Sequence, residues 1–468
     1  MLMKSSCCNM AYPTINFYNY LFVCLLLISH LFISKANAQS LLEAENSLVA
    51  QLLPQEGQLI YDREYPVIGY STRMPEDPVA KLQREISNGT QSLSYNAPHG
   101  FLGDLLNTLH IDPASQVLVY SDTSLNVGAI RANNPRAIYF NDETYIAWVP
   151  ESDSIEIASL DPNLGPVFYV LNQNENNTMG VVRDSGLCLR CHDSLTLSGG
   201  GVPRFIIGSG YTNFTGSLVS HEGWILTKQE TPLRFRWGGW YVTGKHGDQV
   251  HLGNIVVKQP EDLQDLESLR IGNLEDIAGF INPENYLTNF SDIDALMVME
   301  HQLQIQNLIT RVNYDVRKSL YENAIKNGAS NTNMSDIDQA NINNIIEPLV
   351  LAMLMVDEAE INDPINGNSG FRGKFEARGP YDSKNRSLRD LDLHSRLFRY
   401  PLSYLIYSKA FDALPEMARK YFYNRLDSIL SGTDSSDSFS HLNEIDRDAI
   451  KEILIDTKPD FVKMTDPV

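Results

Sequence analysis

Cys188-Leu189-Arg190-Cys191-His192 is the stretch of this chain best equipped for chemistry. Two thiols three residues apart, followed at once by an imidazole, form the arrangement that covalent attachment of a c-type haem requires. Each thiol adds across one vinyl group, and the next residue is then held under the iron as axial ligand. The chain has five cysteines, and the other three, Cys7, Cys8 and Cys24, fall in a segment that reads as an export signal. Cys188 and Cys191 therefore stand alone in the mature protein. Three other readings use the same residues. A structural disulfide needs only the two cysteines and leaves His192 unexplained. A thioredoxin-like pair wants a helix N-terminus behind a buried strand, whereas Ser185-Gly186-Leu187 before the motif and Ser198-Gly199-Gly200-Gly201 after it read as loop. Zinc needs four ligands and would have to recruit distant histidines.

What fills the sixth position on such an iron separates a carrier from a catalyst. A second strong ligand, His or Met, leaves an iron that only passes electrons, whereas an open position admits peroxide, oxygen or another small molecule. The candidate ligands or distal acid/base groups are His246, His251 and His301, with His221, Met297 and Met299 behind them. Two of these lie in the stretch from Arg236-Trp237-Gly238-Gly239-Trp240 through His246-Gly247 to His251-Leu252-Gly253-Asn254. Trp237 and Trp240 are candidates to line the porphyrin edge and His246 to serve as distal base or ligand. A tight aromatic hairpin with exposed histidines is the alternative. Arg236 and Arg311 are candidates to pair with haem propionates, because a guanidinium fork matches a carboxylate. The segment 387–393 mixes charged and apolar residues and suggests a buried salt-bridge corner without a catalytic role.

The elements that must position these residues divide the chain into an α+β arrangement. Residues 1–38 read as a signal peptide, with a basic start at Lys4, an apolar run over 21–33 and small residues at Ala36 and Ala38 before Gln39, which implies a periplasmic protein. Residues 39–183 form a β-rich region, with strand-like runs at 117–120, 137–140, 144–149 and 167–171 and helices over 78–85 and 102–109. Residues 184–258 form a Gly-rich haem-binding segment with strands expected at 203–208 and 240–243. Residues 259–430 are helical. There the apolar side chains Met297, Ile305, Leu308, Val312, Val316 and Leu320 recur every three or four positions once His301 is admitted, placing His301 on a buried stripe of a helix over 291–324. Further helices are expected over 345–356 and 401–430, an Asn-rich loop over 326–344, and a linker and terminal helix over 431–468.

With 58 acidic against 37 basic side chains the net charge is −21, and loss of Lys4 and Lys35 with the signal deepens it. Such a surface repels nucleic acid and anionic lipid and suits a basic redox partner protein. No GxxxxGK[ST], HExxH or GxSxG motif is present, so phosphate-loop, zinc-peptidase and serine-hydrolase chemistry have no support; His221-Glu222 has Ile225, not His, where a zinc helix needs its second histidine. The apolar run 345–356 is too short for the roughly 20 residues that cross a bilayer.

Together, CLRCH, RWGGWYVTGKHG with HLGN, EHQLQIQNLITRVNY (300–314), SLRDLDLHSRLFRYPLSYLIYSKAFDAL (387–414) and NPRAIYFND (134–142) resemble a little-characterised family of exported bacterial cytochrome c domain-containing proteins. The resemblance covers roughly residues 130–430. It implies one haem bound covalently at Cys188 and Cys191 with His192 as axial ligand, in the periplasm, and names no reaction. Leu252 and Leu402 depart from the family pattern, where Met and Cys respectively are common; the first departure argues against position 252 as the source of an axial ligand and favours the histidines. The leading expectation is thus a periplasmic monohaem c-type protein acting in electron transfer. The alternatives are a haem oxidoreductase of peroxidase or oxygenase type with an open distal site, and a redox or gas sensor or assembly factor.

Overall fold

Short runs rich in β-branched and aromatic residues, separated by Asn, Asp and Gly turns, build a six-stranded sheet. The computed structural model describes residues 61–465 except 177–179, 185, 196–198, 220–222 and 328–334. The expected signal peptide and His221 lie outside the described residues. The architecture is mixed α+β. Strands β1 (Val117–Val119), β2 (Arg136–Phe140), β3 (Thr144–Trp148), β4 (Ser154–Asp161), β5 (Gly165–Asn172) and β6 (Val181–Arg183) pair in sequence order as a six-stranded antiparallel meander. Local side-chain caps close its turns. Asn141 Oδ1 accepts from the Glu143 and Thr144 amides at 3.0 and 2.9 Å, and Asp161 Oδ1 from those of Asn163 and Leu164, both at 2.8 Å.

Because side chains alternate across a strand, the sheet has two different faces. Ala137, Tyr139, Ile146, Trp148, Ile155, Ile157, Val167 and Tyr169 bury one face against the helices Pro78–Ser87 and Leu102–Thr108. The first of these starts on Asp77, whose carboxylate caps the amides of Val79 and Ala80 and accepts from the Tyr169 hydroxyl at 2.5 Å. On the other face, Phe140, Tyr145 and Leu160 join the larger core built on the long helix Ile293–Asn327. Tyr145 donates to Gln306 Oε1 at 2.8 Å, and Gln302 donates to the Asn141 carbonyl at 2.8 Å. His301 lies on the buried stripe of that helix, 1 % exposed.

Several expectations change. Strands β4 and β6 lie outside the strand-like runs expected from the sequence. The expected strand 203–208 is reduced to Gly208–Ser209, paired with Ile225–Leu226. The expected strand 240–243 forms no ladder: Trp237 (φ 66°) and Gly239 (φ 85°) turn the backbone, leaving isolated bridges from Trp240 to Val119 and from Thr243 to Asp292. The helix after the Asn-rich segment starts early, at Asp336, because Ser335 Oγ caps the Asp338 amide at 3.1 Å, and runs to Met353. The single helix expected over 401–430 is three pieces, Tyr404–Tyr407, Lys409–Asp412 and Glu416–Leu430. Ser403 and Ser408 cap the first two, and Pro415, which cannot donate, precedes the third.

Candidate haem-attachment site

The chain leaves β6 at Arg183, and the Asp184 amide makes a last bond to the Phe168 carbonyl at 2.8 Å. Asp184 Oδ2 then accepts from the amides of Gly186 and Cys188, at 2.9 and 3.0 Å, and so starts the single helical turn Leu189–His192. The amides of Cys191 and His192 both point back to the Cys188 carbonyl, at 3.2 and 3.0 Å. That turn holds the two sulfurs and the imidazole of the motif together. Cys188 is half-buried, Cys191 exposed, and neither is in a disulfide.

His192 is clamped by a second segment. The Arg204 amide donates to the His192 carbonyl at 3.0 Å, and His192 Nδ1 lies 2.8 Å from the Arg204 carbonyl oxygen. A carbonyl can only accept, so Nδ1 carries the proton and Nε2 presents its lone pair. The ring packs on Phe168, with centroids 4.5 Å apart. Burial lowers the imidazole's basicity, which favours the neutral, ligating form. The loop that brings Arg204 back passes Gly199, Gly200 and Gly201, all at φ between 70° and 81°. That left-handed backbone excludes other residues at little cost only for glycine. A Cβ at Gly200 would meet the Leu195 side chain at 2.5 Å. Asp193, directly after His192, is buried and paired with Arg63, whose amide bonds the Gly201 carbonyl at 2.7 Å.

The thiols are poorly suited to the competing readings. The Cys188 thiol is pushed up to about 12, by burial first and then by the carboxylates of Asp184 and Glu156. A thioredoxin-like nucleophile needs the opposite shift. Among the described residues no cluster of three or more His, Cys, Asp or Glu side chains could hold a metal ion directly.

The other sequence candidates lie elsewhere. Trp240 bridges Val119 at the β1 edge and donates to the Gly208 carbonyl at 2.9 Å. Strand β5, which carries His192 on Phe168, is four strand spacings from β1, about 19 Å. Trp237 is buried beside His251 with ring centroids 5.4 Å apart, and His251 lies 4.7 Å from the His246 ring. Burial, then the neighbouring His246 and Arg270, lowers His251 to about 3. His301 is a satisfied core histidine: Nδ1 meets Gln229 Oε1 at 3.0 Å and Nε2 meets Ser403 Oγ at 2.8 Å. The His301 ring bonds thus run to residues outside 184–205, whereas the His246 and His251 rings pack on each other with all four nitrogens buried and without hydrogen-bond partners. Met297 and Met299 are buried in the core of the long helix.

Arg236 is likewise committed. It donates to Glu300 Oε2 at 2.9 Å and to the carbonyls of Thr231 and Gln229 at 2.6 and 2.8 Å, which leaves no fork for a propionate. Arg311 does border the motif loop, at 3.3 Å from the Gly200 carbonyl, while holding Asp62 at 3.2 Å. Arg204 is the residue the sequence did not single out. Its carbonyl fixes the His192 tautomer, and its own Nε is buried without a partner. No spacing rule marks it, because the loop that returns it to His192 is closed by glycine conformations rather than by periodicity. Two cavities, of about 770 and 540 Å³, are lined by 128–151 with 279–285 and by 230–250 with 359–363, and neither lining includes a residue of the motif. No protein-family model matches the chain, and no curated protein or solved structure matches it.

Proposed function

We propose that this chain carries one haem covalently through Cys188 and Cys191, with His192 as axial ligand, and acts in electron transfer in the periplasm, exchanging electrons with a partner protein whose surface is basic. The observation that carries the reading is the His192 tautomer. An Nδ1–H donated to the Arg204 carbonyl leaves Nε2 as the only ring atom able to bind iron, and the two free thiols lie on the same helical turn. A haem so held supplies a one-electron couple. The chain's own part is to attach, orient and charge-balance it. Asp184 and the 188–192 turn fix the two sulfurs, and Arg204 holds the imidazole plane through its carbonyl. Arg204 and Arg311, at the Gly-rich loop, are the guanidinium groups positioned to meet propionates. The family resemblance of the CLRCH, RWGGWYVTGKHG and SLRDLDL segments supports the same reading. His301, with both ring nitrogens bonded to Gln229 and Ser403, is poorly placed to act as the distal acid/base group of the catalytic alternative.

The test is the visible spectrum and denaturing-gel haem stain of protein matured with the c-type haem machinery. Wild type should retain haem through denaturation and show sharp reduced bands, and a Cys188→Ala/Cys191→Ala double variant should lose them. A wild-type protein that is matured, folded and unstained overturns the proposal.

A further inference from the structure

Two histidines of the 236–254 stretch are buried side by side with nothing to bond to. His246 and His251 are each 4 % exposed, their rings meet edge to face with centroids 4.7 Å apart, and neither Nδ1 nor Nε2 of either ring has a hydrogen-bond partner. A neutral imidazole carries one donor and one acceptor, so the pair hides four polar atoms from water without compensation. His301, equally buried, is held at both nitrogens, which is how this fold treats a histidine whose role is structural.

The backbone around the pair is fixed before any ligand arrives. Asn254 closes the loop, its side chain accepting from the Val242 amide at 2.8 Å and donating to the Val242 carbonyl at 2.9 Å. Lys245 and Asn366 exchange backbone bonds at 2.9 Å each, and the His246 amide donates to Asn273 Oδ1 at 2.5 Å. Gly253 makes the room, since a Cβ there would lie 2.9 Å from His251 Nδ1. Ligands held in this way need little ordering when an ion binds.

Two neutral nitrogens, one from each ring, are the donor set, and its chemistry selects the ion. Imidazole suits copper, zinc, nickel and iron among the first-row metals. Two ligand nitrogens about 2.0 Å from one ion lie at most about 4 Å apart, a separation that rings 4.7 Å between centroids allow. Zinc calls for four donors, whereas singly charged, closed-shell copper(I) is stable with two. Charge favours the same ion. The Arg270 guanidinium donates to the His251 carbonyl at 3.1 Å, and a positive neighbour opposes a doubly charged ion about twice as strongly as a singly charged one. A cavity of about 540 Å³ lies against 248–250, within the segment that joins the histidines, and is lined by Glu230, Asp248, Glu360 and Asp363 with Arg234. An acidic mouth of this kind gathers cations.

We propose that His246 and His251 bind one copper(I) ion between their rings, at a site separate from the CLRCH motif. The site stands whether or not haem is attached at Cys188 and Cys191. The test uses the full chain as Cys188→Ala/Cys191→Ala, so that neither thiol competes for copper; one thiol is half-buried and the other exposed, and neither is bonded to the other. Copper(I) is titrated anaerobically against a chromogenic chelator, beside His246→Phe and His251→Phe, which keep the ring volume. The parent should hold about one copper(I) per chain, and each histidine variant should bind it at least about tenfold more weakly. The unfolding midpoint of the metal-free variants should stay equal or rise, because an unpaired polar ring is replaced by an apolar one. X-ray absorption at the copper edge of the loaded parent needs no histidine variant, and imidazole nitrogens as the short-range scatterers are expected. Equal copper binding by parent and folded variants overturns the site, as does a parent that leaves copper(I) with the chelator or takes zinc(II) in preference to it.

Discussion

His301 separates a structural from a ligating histidine by its effect on acid stability. Its two ring nitrogens are held by Gln229 and Ser403 in a fully buried setting, and burial lowers it to about 3. The unfolded chain titrates such a group near 6.5. The folded state therefore binds fewer protons than the unfolded state between these values, so the stability held above pH 6.5 is lost progressively as pH falls toward 3. At pH 5 the folded form is still neutral at this site, whereas about 97 % of unfolded chains are protonated there, a difference worth about 2 kcal/mol. A His301→Gln variant keeps an acceptor and a donor for Ser403 and Gln229 and cannot take up the proton. Urea unfolding at pH 8 and pH 5 measures the effect. Wild type should lose about 2 kcal/mol from this residue, with a similar contribution from His251, which is also lowered to about 3. The variant should lose about 2 kcal/mol less than wild type over the same interval and keep an unchanged haem spectrum. An unchanged pH slope would falsify the buried-neutral assignment, and a changed axial-ligand spectrum would make His301 an iron ligand.

Arg236 and Glu300 are both buried, 4 % and 1 % exposed, and burial raises the Glu300 carboxyl while Arg236 draws it down. Arg236→Met should cost about 3–5 kcal/mol in urea unfolding by stranding Glu300, and adding Glu300→Gln should recover much of it; full stability of the single variant would contradict the pairing. The corner expected at 387–393 forms around Arg389, which is paired with Asp142, bonded to the Gly379 carbonyl at 2.8 Å and stacked 4.3 Å over Tyr404. Arg389→Leu should lower stability by about 2–4 kcal/mol with no change in haem content, measured by the same unfolding curves and the haem stain.

How far the site could be read from sequence depended on the range of the contacts that build it. Cys188, Cys191 and His192 declare themselves because they sit on one helical turn, where spacing is geometry. The stripe that buries His301 is equally local, a repeat along one helix, but its partners Gln229 and Ser403 come from distant segments, so its satisfied state could not be read. Strand β4 shows a clean alternation in Ile155, Ile157 and Ser159 against Glu156 and Ala158, yet it carries fewer aromatic and β-branched side chains than the runs that were picked out. The density of tryptophan, glycine and histidine in 236–254 falls at the β1 edge of the sheet, where Trp240 bridges Val119. Those residues serve a tight turn whose aromatic rings fill the core, with Trp237 only 1 % exposed. Conspicuous residue types locate buried volume as readily as they locate chemistry, and the two are told apart only when the partners from distant segments are in place.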